Sequence, residues 1–528
     1  MSKSDEMKLL LNEKEEVREL LFPKGFLLTD DNRIDTTAHP FYGLWKKMDF
    51  CGYSFYIHPR QQLYTVANED VGFALVGHAF NPISIQSEEI NLLENSIKYY
   101  EESEIAFTEY FNQWTGVFAL FIFGKDGIRI YGDAAGMYTV FYGTYCDKVY
   151  CSSHTNLLGD ICNLKFDSYI TRLINYRFYP LFGKQLPGDL SPYTDFKRLI
   201  PNHFVQCNNK EWSVARFFPT EKVSLCDLPY EEIVKQAANI LCESMNLIHK
   251  KWQRCAISLT GGCDSKTTLS CTKDAYNKYS YFSYVSSDSE AVDAEAAAKI
   301  CKMLGLEHKI YKISDCDEDY EEIQVIKEIM EYNSGNVGRD NPNDVRKRAF
   351  FLRYNEFDVE VKSWVSEVAR AYYHKRFLKK KFPKRLTPRY ATTLYKVFVT
   401  DRKLVRDTDK VFAEFLHEYY ETSDFERVSW WDLFFWEFRM SSWNGLVITG
   451  EHQIAYDITI PYNNRTLLQL MLSTPMEYRI KDKVHKDIVK KMNIAISECR
   501  VSVVNVKHTA MRAKLERMYL SVFSKLPF

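Results

Sequence analysis

The chain reads as an α/β protein in two parts: an antiparallel, two-sheet half followed by a parallel sheet flanked by helices. Three observations predict this. Residues 25–215 carry short β-branched and aromatic runs punctuated by turns. Downstream of about 228, apolar strands alternate with helical stretches, the pattern of a parallel sheet with its ligand at the strands' carboxyl ends. One of those strands, Cys255-Ala256-Ile257-Ser258-Leu259, empties into Thr260-Gly261-Gly262-Cys263-Asp264-Ser265, a glycine-bearing turn ahead of a helix.

Taken in order, residues 1–22 form a charged helical extension, and the first strand lies near Gly25 to Leu28. Val117-Phe118-Ala119-Leu120-Phe121-Ile122-Phe123 and Ile128-Arg129-Ile130-Tyr131 are strands joined by the hairpin connection Gly124-Lys125-Asp126-Gly127. The texture changes between 215 and 228, which divides the chain into 1–22, 23–220 and 221–528. Helical patterning over 231–249 precedes the strand 255–259, and a helix follows from near Ser265. A strand at 281–285, an Ala-rich helix over 291–304 and a strand at 308–313 continue the alternation.

With 528 residues, 46% hydrophobic and 15% aromatic, the chain has material for two or three packed domains. Lys plus Arg number 69 against 70 Asp plus Glu, a formal charge of -1, so no global field recruits nucleic acid or membrane. No apolar run is long enough to span a bilayer, and the N-terminus lacks the apolar core of a signal peptide. The 13 cysteines are scattered without C-x-x-C pairs, as expected of reduced residues in a cytoplasmic protein.

The loop carries the most specific chemistry. Paired glycines let the backbone approach an anion, Thr260 and Ser265 add hydroxyls, and the following helix points its positive end at phosphates. A carboxylate at Asp264 is tolerable there with Mg²⁺ between it and the phosphates. The stretch has neither the Gly-Lys-Ser ending of a Walker loop nor dinucleotide spacing. It resembles the S-G-G-x-D-S loop of the ATP pyrophosphatases, with Thr260 in the usual Ser position, so ATP is the expected cofactor together with Mg²⁺.

Further matches widen the resemblance to the asparagine synthetase superfamily. Trp114-Thr115-Gly116-Val117-Phe118-Ala119-Leu120 is similar to its L-x-G-x-F-A stretch, and 132–142 resembles its R-D-x-x-G-x-x-P-L-Y-Y hairpin with Gly132 in place of Arg. Ser287-Asp288 through Glu295-Ala296, and Gly305-Leu306-Glu307-His308, resemble the segment after the nucleotide strand. The resemblance implies an Ntn-type αββα sandwich followed by a parallel-sheet ATP-pyrophosphatase (PP-loop) synthetase domain. It implies phosphate and adenine contacts from Ser258, Leu259, Thr260, Gly261, Gly262, Asp264, Ser265, Tyr284 and Ser286. The family's N-terminal cysteine nucleophile is missing: the chain starts Met1-Ser2 and its first cysteine is Cys51. A degenerate glutaminase domain without glutamine hydrolysis is therefore expected. Cleavage just before Cys51 would expose a thiol, but would remove an early strand.

The remaining roles are also implied by resemblance. The family's phosphate-contacting lysine has its best counterpart in Lys507, with Lys486 as second choice. The acceptor loop G-E-G-x-D-E…G-Y corresponds to 361–372. Glu367 and Tyr372 match there, the first Glu has become Ser363 or Trp364, and the metal-binding Asp has become Ser366. Glu367 then joins Asp264 as the expected metal ligand, and Tyr372 is a catalytic candidate. Glu437, in the aromatic stretch 430–440 beside Arg439, is a candidate general base by analogy with ring-closing members. A structural ion pair is the alternative for it. The basic run 374–385 is either a solvated face or a docking surface for an acidic partner.

These readings point to an AMP-forming ligase joining a small-molecule, sugar or peptide carboxylate to ammonia or an amine. Its logic is close to the β-lactam synthetase and lasso-peptide cyclase branches, and homodimerisation is left open. Two alternatives stand beside it: a nucleotide-binding pseudoenzyme, favoured by the altered acceptor loop, and a tRNA-modifying ATP pyrophosphatase, favoured only by the basic run.

Overall fold

A computed structural model describes residues 2–181, 183–219, 227–313, 320–338, 340–379, 381–395, 400–421, 428–501 and 510–526. The first half is a pair of stacked six-stranded antiparallel sheets. Its strands are β1 (Phe26–Thr29), β2 (Lys46–Phe50), β3 (Tyr53–Ile57), β4 (Leu63–Ala67), β5 (Gly72–Phe80), β6 (Thr115–Gly124), β7 (Gly127–Gly132), β8 (Phe141–Tyr145), β9 (Lys148–Ser152), β10 (Phe196–Arg198), β11 (His203–Asn208) and β12 (Glu211–Arg216). One sheet runs β10-β8-β9-β1-β3-β2 and the other β12-β11-β7-β6-β5-β4. The predicted hairpin closes tightly, with Gly124 opposite Gly127.

Aromatic residues cement the sheets face to face. Phe121 meets Phe26 and Phe55 at centroid distances of 5.4 Å each, and edge-to-face contacts of this kind add to burial. The helices Glu89–Glu102 and Glu104–Phe111 cover one outer face, with Phe107 5.9 Å from Phe73. Over the other, Met7 and Leu11 of the helix Lys3–Glu13 and Leu157 and Leu158 of the helix Thr155–Cys162 share an apolar cluster with Leu27 and Tyr56. The layers are therefore helix, sheet, sheet, helix.

The second half holds a five-stranded, wholly parallel sheet of β13 (Cys255–Ser258), β14 (Tyr279–Val285), β15 (His308–Lys312), β16 (Val359–Val361) and β17 (Asp457–Thr459). Its order is β15-β14-β13-β16-β17. The chain moves outward from β13 through β14 to β15, then returns to place β16 on the opposite side of β13. Between β13 and β16 the winding direction reverses, which opens a crevice at the strands' carboxyl ends.

Buried polar contacts lock the halves together. Arg465, 1% exposed, donates to the carbonyls of Gly132 and Asp133, 2.9 Å each, and to Asn202. An arginine from the far end of the chain thus serves the Gly132 turn, which lacks its own. Asp133 fixes that turn by accepting the amides of Ala135, Met137 and Tyr138. Asn463 donates to the carbonyl of Gly116 at 2.6 Å. Among the described residues no helix is long and apolar enough to cross a membrane.

Candidate active site

The loop 259–262 leaves β13 at the crevice and leads into the helix Cys263–Cys271, whose N-terminus has no side-chain cap. Its first amides are left to solvent or an anion. Thr260 and Ser265 are linked through their hydroxyls at 3.0 Å, and the Gly262 amide donates to the Thr260 hydroxyl at 3.2 Å. Leu259 is buried, donates to the Phe282 carbonyl at 2.8 Å and accepts the Ser283 hydroxyl at 2.7 Å. Ser258 ends β13, and Gly261 is buried behind the turn.

Across the crevice, the segment after β16 folds as Ser366–Arg370, a tight helical turn, then the helix Tyr372–Arg376. The family glycines are absent, but the backbone still turns left-handed at Val365 (φ 74°) and Ala371 (φ 52°). For a β-branched residue that conformation is costly. Ser363 meets Thr268 of the helix Cys263–Cys271 at 2.8 Å. Trp364 lies edge-on to His452, 5.4 Å between centroids, with the Lys362 ammonium 4.9 Å from its ring centroid.

These turns bring together a charge cluster that sequence reasoning only half found. Asp264 accepts the Ser366 hydroxyl at 2.6 Å and pairs through its other oxygen with the Arg370 guanidinium. Arg370 also donates to Asp482 at 2.7 Å, and Lys375 pairs with the same Asp482. His485, 1% exposed, sits with Nε2 3.7 Å from Asp264 and without a hydrogen bond. Its imidazole is pushed down to about 4 by burial. Glu367 has one carboxylate oxygen buried without a partner. Burial first, and the charge of Asp264 second, push its carboxyl up to about 7. Asp482, His485 and Lys486 open the helix Lys483–Met492, and Lys486 donates to the Lys481 carbonyl at 2.7 Å.

The expected magnesium site does not fit this arrangement. Both oxygens of Asp264 are committed, one to Ser366 and one to Arg370, and Glu367 holds its proton near neutrality. Hard-cation ligation needs ionised oxygens free to turn to the ion. Among the described residues no three acidic, histidine or cysteine side chains are grouped to hold a metal. The positive charge beside Asp264 belongs instead to Arg370, a residue within 361–372 to which the sequence assigned no role.

Other assignments fall elsewhere. Lys507 lies outside the described residues. Tyr284 is partly buried, with the Lys347 ammonium 4.6 Å from its ring centroid, and Ser286 turns its amide and hydroxyl onto Glu290 at 2.8 and 2.7 Å. Tyr372 stacks on Phe435 at 4.2 Å and accepts from Arg376 at 2.7 Å. Glu437 is withdrawn from base chemistry: fully buried, it pairs with Arg216 of the first half at 2.5 and 2.9 Å and accepts from Asn202 at 3.0 Å. The helix here widens to π-type over Phe435–Gly445, which directs Glu437 into the domain interface while Arg439 lines a separate cavity. In the basic run, Lys375 and Arg376 are consumed by pairs with Asp482 and Glu516, and Phe382 packs on Trp431 at 4.3 Å.

At the start of the chain, Ser2 caps the first helix by accepting the Asp5 amide at 3.1 Å. The first strand is entered through Lys24 and Gly25, with no thiol beside it in sequence. Cys51 is exposed at the two-residue turn between β2 and β3, φ 49°. Cleavage before it would remove β1, an inner strand paired with both β3 and β9.

No protein-family model matches the chain, and no curated protein matches it. Among solved structures it is similar to the allosteric regulatory enzyme of purine biosynthesis (TM-score 0.24, 11% identity, 46% of this chain and 56% of that one). It is similar also to a glutamine phosphoribosylpyrophosphate amidotransferase from B. subtilis (0.22, 9%, 68% and 72%). A third is an NH3-dependent NAD synthetase from Campylobacter jejuni subsp. jejuni (0.19, 14%, 36% and 93%). The chain thus spans little more than half the length of the first of these. At such scores the likeness adds nothing to what the site's own residues say.

Proposed function

We propose that this protein is an ATP-dependent carbon–nitrogen ligase that adenylates a carboxylate and passes the acyl group to ammonia or an amine. The observation that carries this is the Thr260–Ser265 loop at the sheet's switch point, facing a charged acceptor segment across the crevice. A substrate carboxylate oxygen attacks the α-phosphorus, the bond to the β-phosphate bridging oxygen breaks, and pyrophosphate leaves. The amine nitrogen then attacks the acyl carbon, and AMP departs with the electron pair of the broken acyl–oxygen bond.

The chain's residues divide the work. Loop amides, with the Thr260 and Ser265 hydroxyls, bind the phosphates, and Arg370, held in place by Asp264 and Asp482, presents its charge to the negative charge developing on them. Glu367, its carboxyl pushed up to about 7, is suited in its ionised form to take the proton that the amine nitrogen loses as it attacks. Leu259, Tyr284 and Ser286 border the place for adenine at the strand ends. Loss of glutamine chemistry is part of the proposal, supported by the absence of a thiol near the start of β1.

A second reading, nucleotide binding without turnover, draws on the sequestration of Asp264 by Arg370. ATP–pyrophosphate exchange with a panel of carboxylates separates the two. The ligase reading expects carboxylate-dependent exchange that Asp264→Asn lowers at least about 100-fold, on the scale of losing a preorganised charged contact. ATP binding by calorimetry with no exchange for any carboxylate would sink it.

A further inference from the structure

A cavity of about 70 Å³ lies beside the helix Tyr372–Arg376 and is assigned no part in the proposed reaction. Tyr372, Tyr373, Tyr395 and Tyr519 wall it, and two guanidiniums, Arg376 and Arg439, reach it. Their electrostatic situations differ. Arg376 is matched by Glu516 in a two-pronged pair at 2.9 and 3.1 Å. Arg439 makes no ion pair among the described residues: its guanidinium lies 4.5 Å from the Trp443 ring centroid and beside the Tyr372 and Tyr373 rings. Burial pushes it below the usual arginine range, and Arg376 adds repulsion.

Among the described residues that line the pocket, two guanidiniums stand against one carboxylate, an excess of positive charge. A withdrawn cation of this kind is costly unless something pairs with it. The planar fork of an arginine matches a carboxylate. Size limits what enters: an engineered cavity of about 150 Å³ takes up benzene, so this one admits the acid end of a molecule and not a ring.

We infer that this cavity is a binding site for the terminal carboxylate of a small organic acid, held by the Arg439 fork between the tyrosine walls. The inference does not depend on ATP chemistry.

Calorimetric titration of the full-length protein without nucleotide tests it, with butyrate as probe and butyramide as its neutral isostere. Saturable binding of butyrate is expected, with the amide at least about 10-fold weaker and Arg439→Met weakening the acid by about 10-fold or more, the scale of a charged hydrogen-bonded contact. Equal binding of acid and amide, no saturable binding of butyrate, or unchanged affinity in a folded R439M protein would each overturn it. The acid–amide comparison uses the wild-type chain, so a misfolded variant leaves the test intact. Butyrate binding without any carboxylate-dependent exchange would uphold this pocket while removing the ligase reading.

Discussion

Two arginine–carboxylate pairs join distant parts of this chain, and they do opposite things. Arg216–Glu437 is dry, its side chains 6% and 0% exposed, and it is joined by Asn202 and by the Phe218 and Tyr419 carbonyls. Arg370–Asp264 is 19% and 20% exposed, shares its guanidinium with Asp482, and stands beside Glu367 and His485 atoms that lack partners. A pair hydrogen-bonded from both halves and closed off from solvent staples the structure. A pair at the crevice edge with unmet neighbours has interactions left to give a ligand.

The comparison breaks most visibly by removing one partner of the dry pair. Glu437→Gln leaves Arg216 buried without a counter-charge, and breaking such a pair costs about 3–5 kcal/mol, several degrees in melting temperature for a chain of this size. Asp264→Asn at the wet pair is expected to cost no more than about 1 kcal/mol while removing exchange activity. Thermal melts of both variants check this. Equal destabilisation would erase the distinction between staple and site.

A third cluster sharpens it, since it is buried like the first but unbalanced like the second. Lys184, from the antiparallel half, pairs with both Asp340 and Glu451 of the other half. Burial, opposed by Lys184 and aided by Asp340, pushes the Glu451 carboxyl from 4.5 up to about 7. Between those values the folded protein keeps a proton that the unfolded chain has released. The stabilising contribution is therefore full below about 4.5 and is lost as pH rises through about 7. Unfolding free energy should fall by on the order of 1–3 kcal/mol across that window, and Glu451→Gln should flatten the decline. Denaturant titrations of both proteins from acid to neutral pH decide it, and identical slopes would place the proton elsewhere.

How much of this was legible depends on distance along the chain. The hairpin at 124–127, the strands β13, β14 and β15 and the glycine-bearing loop after β13 are local patterns, so composition and periodicity located them, whereas the three-residue strands β16 and β17 are too short to carry a periodicity and were not predicted. The switch point was not legible, because strand order is set by which faces bury against one another. An ion pair was one of the two readings open for Glu437, but its partner was not legible, because Arg216 stands far away in sequence and the widened helix turn that aims Glu437 has no local signature. Arg370 drew no reading, since its meaning comes from Asp264 and Asp482 arriving from two other segments. Lys507 belongs to a stretch outside the described residues.

The smallest expected effect tests how the wet pair is aimed. Ala371 follows Arg370, is fully buried, and holds a left-handed backbone (φ 52°) that starts the helix Tyr372–Arg376. That conformation costs an L-residue about 1–2 kcal/mol, and glycine relieves it while giving up about 0.4–1 kcal/mol of unfolded-state restriction. Ala371→Gly should thus change stability by no more than about 1 kcal/mol in either direction. Its effect belongs in activity, a few-fold loss of exchange, because a glycine there lets the Arg370 backbone sample other turns. A large fall in melting temperature would mean that the methyl group is needed as packing. Unchanged exchange would mean that the left-handed turn does not position Arg370, and that the pair is aimed by Asp482 alone.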